Sequence, residues 1–136
     1  MKKDIEILEG LIKTPFAYHG REPGKGLDCF GLGLIIDKRL GLGTFDFGSP
    51  GEKNSFDLIG KSISNNKSLF VKLDKPEKWC WVTFIMRKRL VTHVGKVINW
   101  PYFIHVLEDT QVTVERLDGD FWKNHIEGYY KWKTQE

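Results

Sequence analysis

The chain has 136 residues, 40% apolar and 29% charged, which suits one domain (1–136) with its own core. Aromatics make up 13% of it and supply large core side chains. A net charge of +3 is too weak to point to a nucleic-acid partner, and no run approaches the length of a membrane span, so no membrane insertion is expected.

Taken in chain order, Met1-Lys2-Lys3-Asp4 lacks the apolar stretch and cleavage site of a secretory leader; cytoplasmic synthesis without a signal peptide is expected. Ile5, Leu8, Leu11 and Ile12 recur at helical spacing and predict a helix over 3–13, stopped by Pro15. Gly20, Pro23, Gly24 and Gly26 mark 14–28 as loop. Asp28 is a plausible N-cap for a helix from Cys29 to Leu40, with Cys29, Leu32, Ile36 and Leu40 on one face and Gly41 ending it. A glycine-rich loop follows over 41–54, equally compatible with a lid and an assembly contact. A short helix near 54–63 comes next. Strands are predicted at 69–73, 79–86, 92–98, 103–107 and 111–116, then a helical turn at 119–124 and a last strand at 126–132. Helices followed by an antiparallel sheet give an α+β layout.

The two cysteines differ in setting. Cys80, within the strand-like run Trp79 to Ile85, reads as a small buried hydrophobe. Neither cysteine belongs to a paired Cys or His spacing, so zinc and other metals are not expected, nor is a cofactor. Cys29 sits where a glycine-punctuated loop turns into an apolar helix. Unpaired N–H groups and the positive end of the helix dipole would lower its pKa there and offer an oxyanion hole. His93 and His105 lie in strand-like runs twelve residues apart, an even number. A hairpin through Asn99-Trp100-Pro101 would set them opposite each other on one face. One ring would take the thiol proton and the other would orient it, completing a set for thiol acyl transfer. His19 has a place at the cleft or on the surface, and His125 reads as surface. The basic run Arg87-Lys88-Arg89 reads as a solvated loop or strand end.

In that order, Pro15-Phe16-Ala17-Tyr18-His19-Gly20, Asp28-Cys29-Phe30-Gly31, His93-Val94-Gly95 and Ile104-His105 resemble the NlpC family of cell-wall cysteine peptidases. The resemblance extends through Val112–Leu117 and Ile126–Lys131, nearly the whole chain. The Pro-Phe-x-x-x-Gly-Arg form and the bare domain are most similar to the family's phage-tail branch.

The resemblance implies a papain-like fold and hydrolysis of peptidoglycan stem peptides. Cys29 would be the nucleophile, His93 the base and His105 its orienter. The Cys29 N–H would help hold the oxyanion. Asp28 would meet the amine end of the stem peptide, with Phe16, Tyr18 and Phe30 lining the substrate site. Phe30 stands where the family has Ser and Phe16 where it has Tyr, so two hydroxyls are missing, which points to a non-standard substrate. The implied place is a phage tail, acting on the host wall during genome entry beside other tail proteins. The alternatives are a structural tail-tip component, for which Trp100, Tyr102 and Trp122 would be surface aromatics, and a toxin or amidase delivered by another route.

Overall fold

A computed structural model describes residues 3–44, 46, 67–87 and 90–133, with the backbone alone at 67, 87 and 90–92. The helix expected near 54–63, most of the 41–54 loop and the side chains of the 87–89 basic run lie outside the described residues. In chain order the elements are α1 (Asp4–Leu8), β1 (Arg21–Glu22), β2 (Gly26–Leu27), α2 (Cys29–Arg39), a 3-10 turn (Lys67–Leu69), β3 (Phe70–Leu73), β4 (Trp81–Arg87), β5 (Leu90–Val97), β6 (Tyr102–His105), β7 (Thr113–Arg116), α3 (Asp120–Lys123) and β8 (Ile126–Trp132). Strands β3 to β8 form one six-stranded antiparallel sheet in the order β3-β8-β4-β5-β6-β7. The α+β layout expected from the sequence is the one observed. Among the described residues no helix is long and apolar enough to cross a membrane.

The central strand β4 is buried on both faces over Trp81–Phe84, which is why Trp79 to Ile85 reads as an apolar run interrupted only by Thr83. Trp81 packs with Phe30 and Leu34 of α2, whereas Val82 and Phe84 pack with Phe103, Leu117 and Trp122 on the opposite face. Helix α2 therefore covers one face and α3 with its flanking turns covers the other. The single apolar stripe expected on α2 is divided between two clusters. Leu32 and Ile36 pack with Ile7, Leu11 and Ile104, while Cys29 joins Leu34, Trp81, Val94 and Trp132. The N-terminal segment lies on one flank of the helix and the sheet on the other, so both flanks are buried. Gly33 lets α2 approach the sheet closely: a Cβ there would sit 2.3 Å from the Trp81 ring.

Two expectations fail for one reason. Helix α1 ends at Leu8 rather than reaching 13, and Ile5 is 76% exposed while Ile7 and Leu11 are buried. Gly10 turns the chain at φ +73. Beyond it the backbone bonds across to the segment before β7, with Lys13 N–H on Val112 O, Val112 N–H on Thr14 O and Phe16 N–H on Thr110 O. Those long-range bonds replace the helical ones. The same segment supports the two-residue strands β1 and β2, which pair inside what reads as loop.

One buried ion pair joins the layers. The Asp37 carboxylate of α2 accepts from Lys96 Nζ on β5 at 2.5 Å, Trp81 Nε1 on β4 at 2.9 Å and Trp132 Nε1 on β8 at 2.6 Å. The two charged side chains are 0% and 1% exposed. Burial lowers the Lys96 pKa, and the Asp37 charge and hydrogen bond oppose that. Removing one partner strands the other charge in a dry core. Lys96→Met is therefore expected to cost about 3–5 kcal/mol of unfolding free energy, measured by urea denaturation; a loss under about 1 kcal/mol would contradict this role for the pair.

Candidate active site

Asp28 starts α2 as the sequence suggests. Its side chain accepts from Gly31 N–H at 2.6 Å and its carbonyl from Leu32 N–H at 2.9 Å. The cap leaves the first N–H groups of the helix, those of Cys29 and Phe30, directed at the Cys29 sulfur. The backbone N–H of Val94 on β5 acts on the same atom. All three favour a thiolate, yet they lose. Burial is the largest effect and the Asp28 carboxylate adds to it, so the thiol is pushed up to about 12. The expectation of a lowered pKa is corrected: at rest Cys29 is a neutral, buried thiol, because the dipole end of α2 is packed against the sheet rather than open to water.

The two histidines meet. His93 Nε2 and His105 Nδ1 are 2.8 Å apart. They are not directly opposite, as the even spacing suggests. Lys96 faces Ile104 and Val97 faces Phe103 across β5 and β6, so continuing the register sets Gly95 opposite His105, and His93 reaches it diagonally. Gly95 leaves the room: a Cβ there would lie 3.0 Å from Phe103 Cδ2, 3.1 Å from Ile104 O and 3.3 Å from His105 Cβ. Burial, and then the neighbouring His105, lower the His93 pKa well below its ordinary value. Burial also lowers that of His105, against the raising effect of Glu115. Both rings are thus neutral near pH 7.

Glu115 of β7 and Trp122 of α3 complete the cluster, and neither was singled out as a site residue in the sequence. Glu115 Oε2 lies 2.6 Å from His105 Nε2, and Glu115 Oε1 accepts from Trp122 Nε1 at 3.1 Å. Trp122 is no surface aromatic. It is 6% exposed and packs edge-on to His105 at 4.8 Å between ring centroids. Trp100 and Tyr102 are exposed as expected.

The structure brings Cys29 to the strand that carries His93 without joining thiol to ring. Cys29 packs on Val94, whose side chain faces α2. His93, the next residue, stacks on Phe84 on the other face of β5. Among the described residues no hydrogen bond links Cys29 Sγ to His93. In cysteine and serine hydrolases such bonds often tighten only with substrate bound.

The residues expected at the substrate site take several positions. The Asp28 carboxylate, expected to meet a substrate amine, is bound within the chain: besides Gly31 N–H it accepts from His19 N–H at 3.1 Å and Arg21 Nη1 at 3.0 Å. Phe30 lies buried against Trp81 at 5.5 Å. Phe16 and Tyr18 stack edge-on at 5.0 Å, and the Tyr18 hydroxyl donates to Glu108. The His19 side chain is exposed. His125 is half-buried, stacked on Phe121 with its Nδ1 on the Phe121 carbonyl at 2.6 Å. Cys80 is a buried, unpaired cysteine in the core, as expected.

This arrangement has solved counterparts. The structure resembles an NlpC/P60 family protein from Bacillus cereus ATCC 10987, with a TM-score of 0.62 at 20% identity, covering 90% of this chain and 36% of that one. The fold is that of an NlpC/P60 domain. A lipoprotein-like NLP/P60 family protein from Staphylococcus aureus gives a TM-score of 0.59 at 15% identity, over 96% of this chain and 43% of that one. The NlpC/p60 domain of the peptidoglycan hydrolase SagA gives 0.57 at 14% identity, over 93% and 94%. The chain thus spans less than half of the first two proteins and nearly all of the third domain. No family model and no curated protein matches by sequence.

Two outcomes follow from this geometry. Gly95→Ala forces a methyl against the Ile104 carbonyl and His105, and is expected to cost about 1–3 kcal/mol of stability and to lengthen the His93–His105 contact, read from denaturation and a crystal structure; a variant as stable as wild type with the contact intact would contradict it. Alkylation of Cys29 by iodoacetamide is expected to rise with pH through a midpoint above that of an ordinary cysteine, because burial and Asp28 both raise the thiol pKa; a midpoint below pH ~7 would show a thiolate already formed at rest.

Proposed function

We propose that the chain is a cysteine peptidase acting on peptidoglycan stem peptides. The observation that carries this reading is a helix-start cysteine with its own N–H groups around it, set against the strand that bears a hydrogen-bonded histidine pair. Cys29 Sγ gives its proton to His93, and the sulfur forms a bond to the substrate carbonyl carbon. The oxygen becomes an oxyanion held by N–H groups at the start of α2. The C–N bond breaks as His93 returns the proton to the leaving amine. Water, deprotonated by His93, then hydrolyses the thioester and releases the acid and the free thiol. The similarity to a peptidoglycan hydrolase domain supports the substrate class.

The Pro15-Phe16 and Gly20-Arg21 form favours the finer reading, a phage-tail component that opens the host wall for genome entry together with other tail proteins. The absence of two hydroxyls, at Phe16 and Phe30, and the amine site shared with Arg21 favour a substrate outside the family's usual one. A second reading, a tail-tip structural component with little catalysis, draws on the neutral resting thiol and the exposed Trp100 and Tyr102.

Digestion of purified peptidoglycan separates the two. The wild type is expected to release fragments, seen by mass spectrometry, that Cys29→Ala does not. A folded wild type that releases nothing from several wall types would overturn the peptidase reading in favour of the structural one.

A further inference from the structure

We propose that Glu115 is a positioning residue that fixes, through His105, which nitrogen of His93 is free to accept the proton of Cys29. This rests on the peptidase reading and deepens it. The donors and acceptors of the cluster fix where each hydrogen sits. Indole Nε1–H can only donate, so the 3.1 Å contact makes Glu115 Oε1 an acceptor of Trp122. The other carboxylate oxygen, as part of an anion, can only accept, so at 2.6 Å His105 must carry its hydrogen on Nε2. A neutral imidazole with Nε2–H has a bare lone pair at Nδ1. At 2.8 Å that lone pair must accept, so His93 donates from its own Nε2. The lone pair of His93 is then at Nδ1, the nitrogen not used by the pair.

With both rings neutral, as their burial favours, this is the assignment that satisfies every contact from Trp122 to His93. Among the described residues the rings also pack on Phe84, Phe103 and Trp122, aromatic surfaces that supply no lone pair to compete for these hydrogens. Among the described residues, the charged side chain hydrogen-bonded to this ring pair is Glu115, on the edge strand of the sheet, with a side chain 42% exposed. When His93 takes the thiol proton, the carboxylate stabilises the resulting imidazolium through His105, without leaving its place.

Glutamine cannot do the same. It offers one acceptor oxygen where two donors, His105 Nε2–H and Trp122 Nε1–H, need one each. If its amide nitrogen faces His105, the ring must move its hydrogen to Nδ1, and the order of the whole chain reverses.

The test is ring-nitrogen NMR of the 15N-histidine-labelled protein near pH 7. In the wild type both His93 and His105 are expected with hydrogen on Nε2 and a bare Nδ1. Glu115→Ala and Glu115→Gln are expected to lose that single pattern, and Trp122→Phe, which leaves the carboxylate on His105, to keep it. In the peptidoglycan digestion, Glu115→Ala is expected to lower kcat by about 10- to 100-fold, the range typical of partners that orient a reacting group, with KM unchanged. Wild-type tautomers retained in both Glu115 variants, or lost equally in Trp122→Phe, would overturn the proposal. A wild type that shows the tautomer pattern and its loss in Glu115→Ala, but cleaves nothing, would overturn the peptidase reading and leave the positioning role standing.

Discussion

A single buried carboxylate sets how the helix lies on the sheet. Asp37 has no charge partner on its own helix; its donors come from three strands, β4, β5 and β8. A charge in a dry interior is tolerated only when each lone pair is used, so rotating α2 about its axis would break all three bonds at once. That constraint reaches the chemistry. Asp37 meets β5 at Lys96 and Cys29 meets it at Val94, two residues earlier on the same face of the strand. The contact that holds the helix in register thus also holds the thiol against the strand of His93.

The strand then divides the work between its faces. Val94 and Lys96 take the helix, while His93, Gly95 and Val97 face the aromatic cluster of Phe84, Phe103 and Trp122. Burying the histidine pair among rings keeps it neutral and gives its hydrogen bonds more weight than they would have in water. Burying the cysteine keeps it neutral too. The resting site is therefore a thiol and a base, rather than a preformed ion pair. Under the proposed peptidase reading, a substrate carbonyl would draw proton transfer and attack together, a sequence that limits reaction of the thiol with other electrophiles.

The sheet was largely legible because β-branched and aromatic runs bounded by turn residues are short-range signals. The expected strand at 126–132 and the observed Ile126–Trp132 coincide, and β5 differs by about two residues. The start of α2 at Cys29 and its cap at Asp28 were legible for the same local reason. Helix α1 is shorter than its periodicity suggests: Leu11 and Ile12 fit the helical spacing, but the bonds that pull Lys13 to Phe16 across to Thr110 and Val112 come from far along the chain. Glu115 and the Asp37–Lys96 pair escaped for that reason as well. An acidic residue in a β-strand, or a lysine between a glycine and a valine, reads as a solvated position until the register across strands is known. The signal for Glu115 was present in the spacing: His105 and Glu115 lie ten residues apart on neighbouring strands. Trp122 was misplaced because Asp120 and Lys123 beside it make the turn look exposed.

The peptidase reading requires that Cys29, served by the histidine pair, form a covalent bond to its substrate. Acid quenching during incubation with peptidoglycan fragments, followed by proteolysis and mass spectrometry, tests it directly. An acyl adduct is expected on the peptide that contains Cys29, absent from the peptide that contains Cys80 and absent in Cys29→Ala. Cleavage of the fragments with no adduct on Cys29, or with the adduct elsewhere, would contradict it.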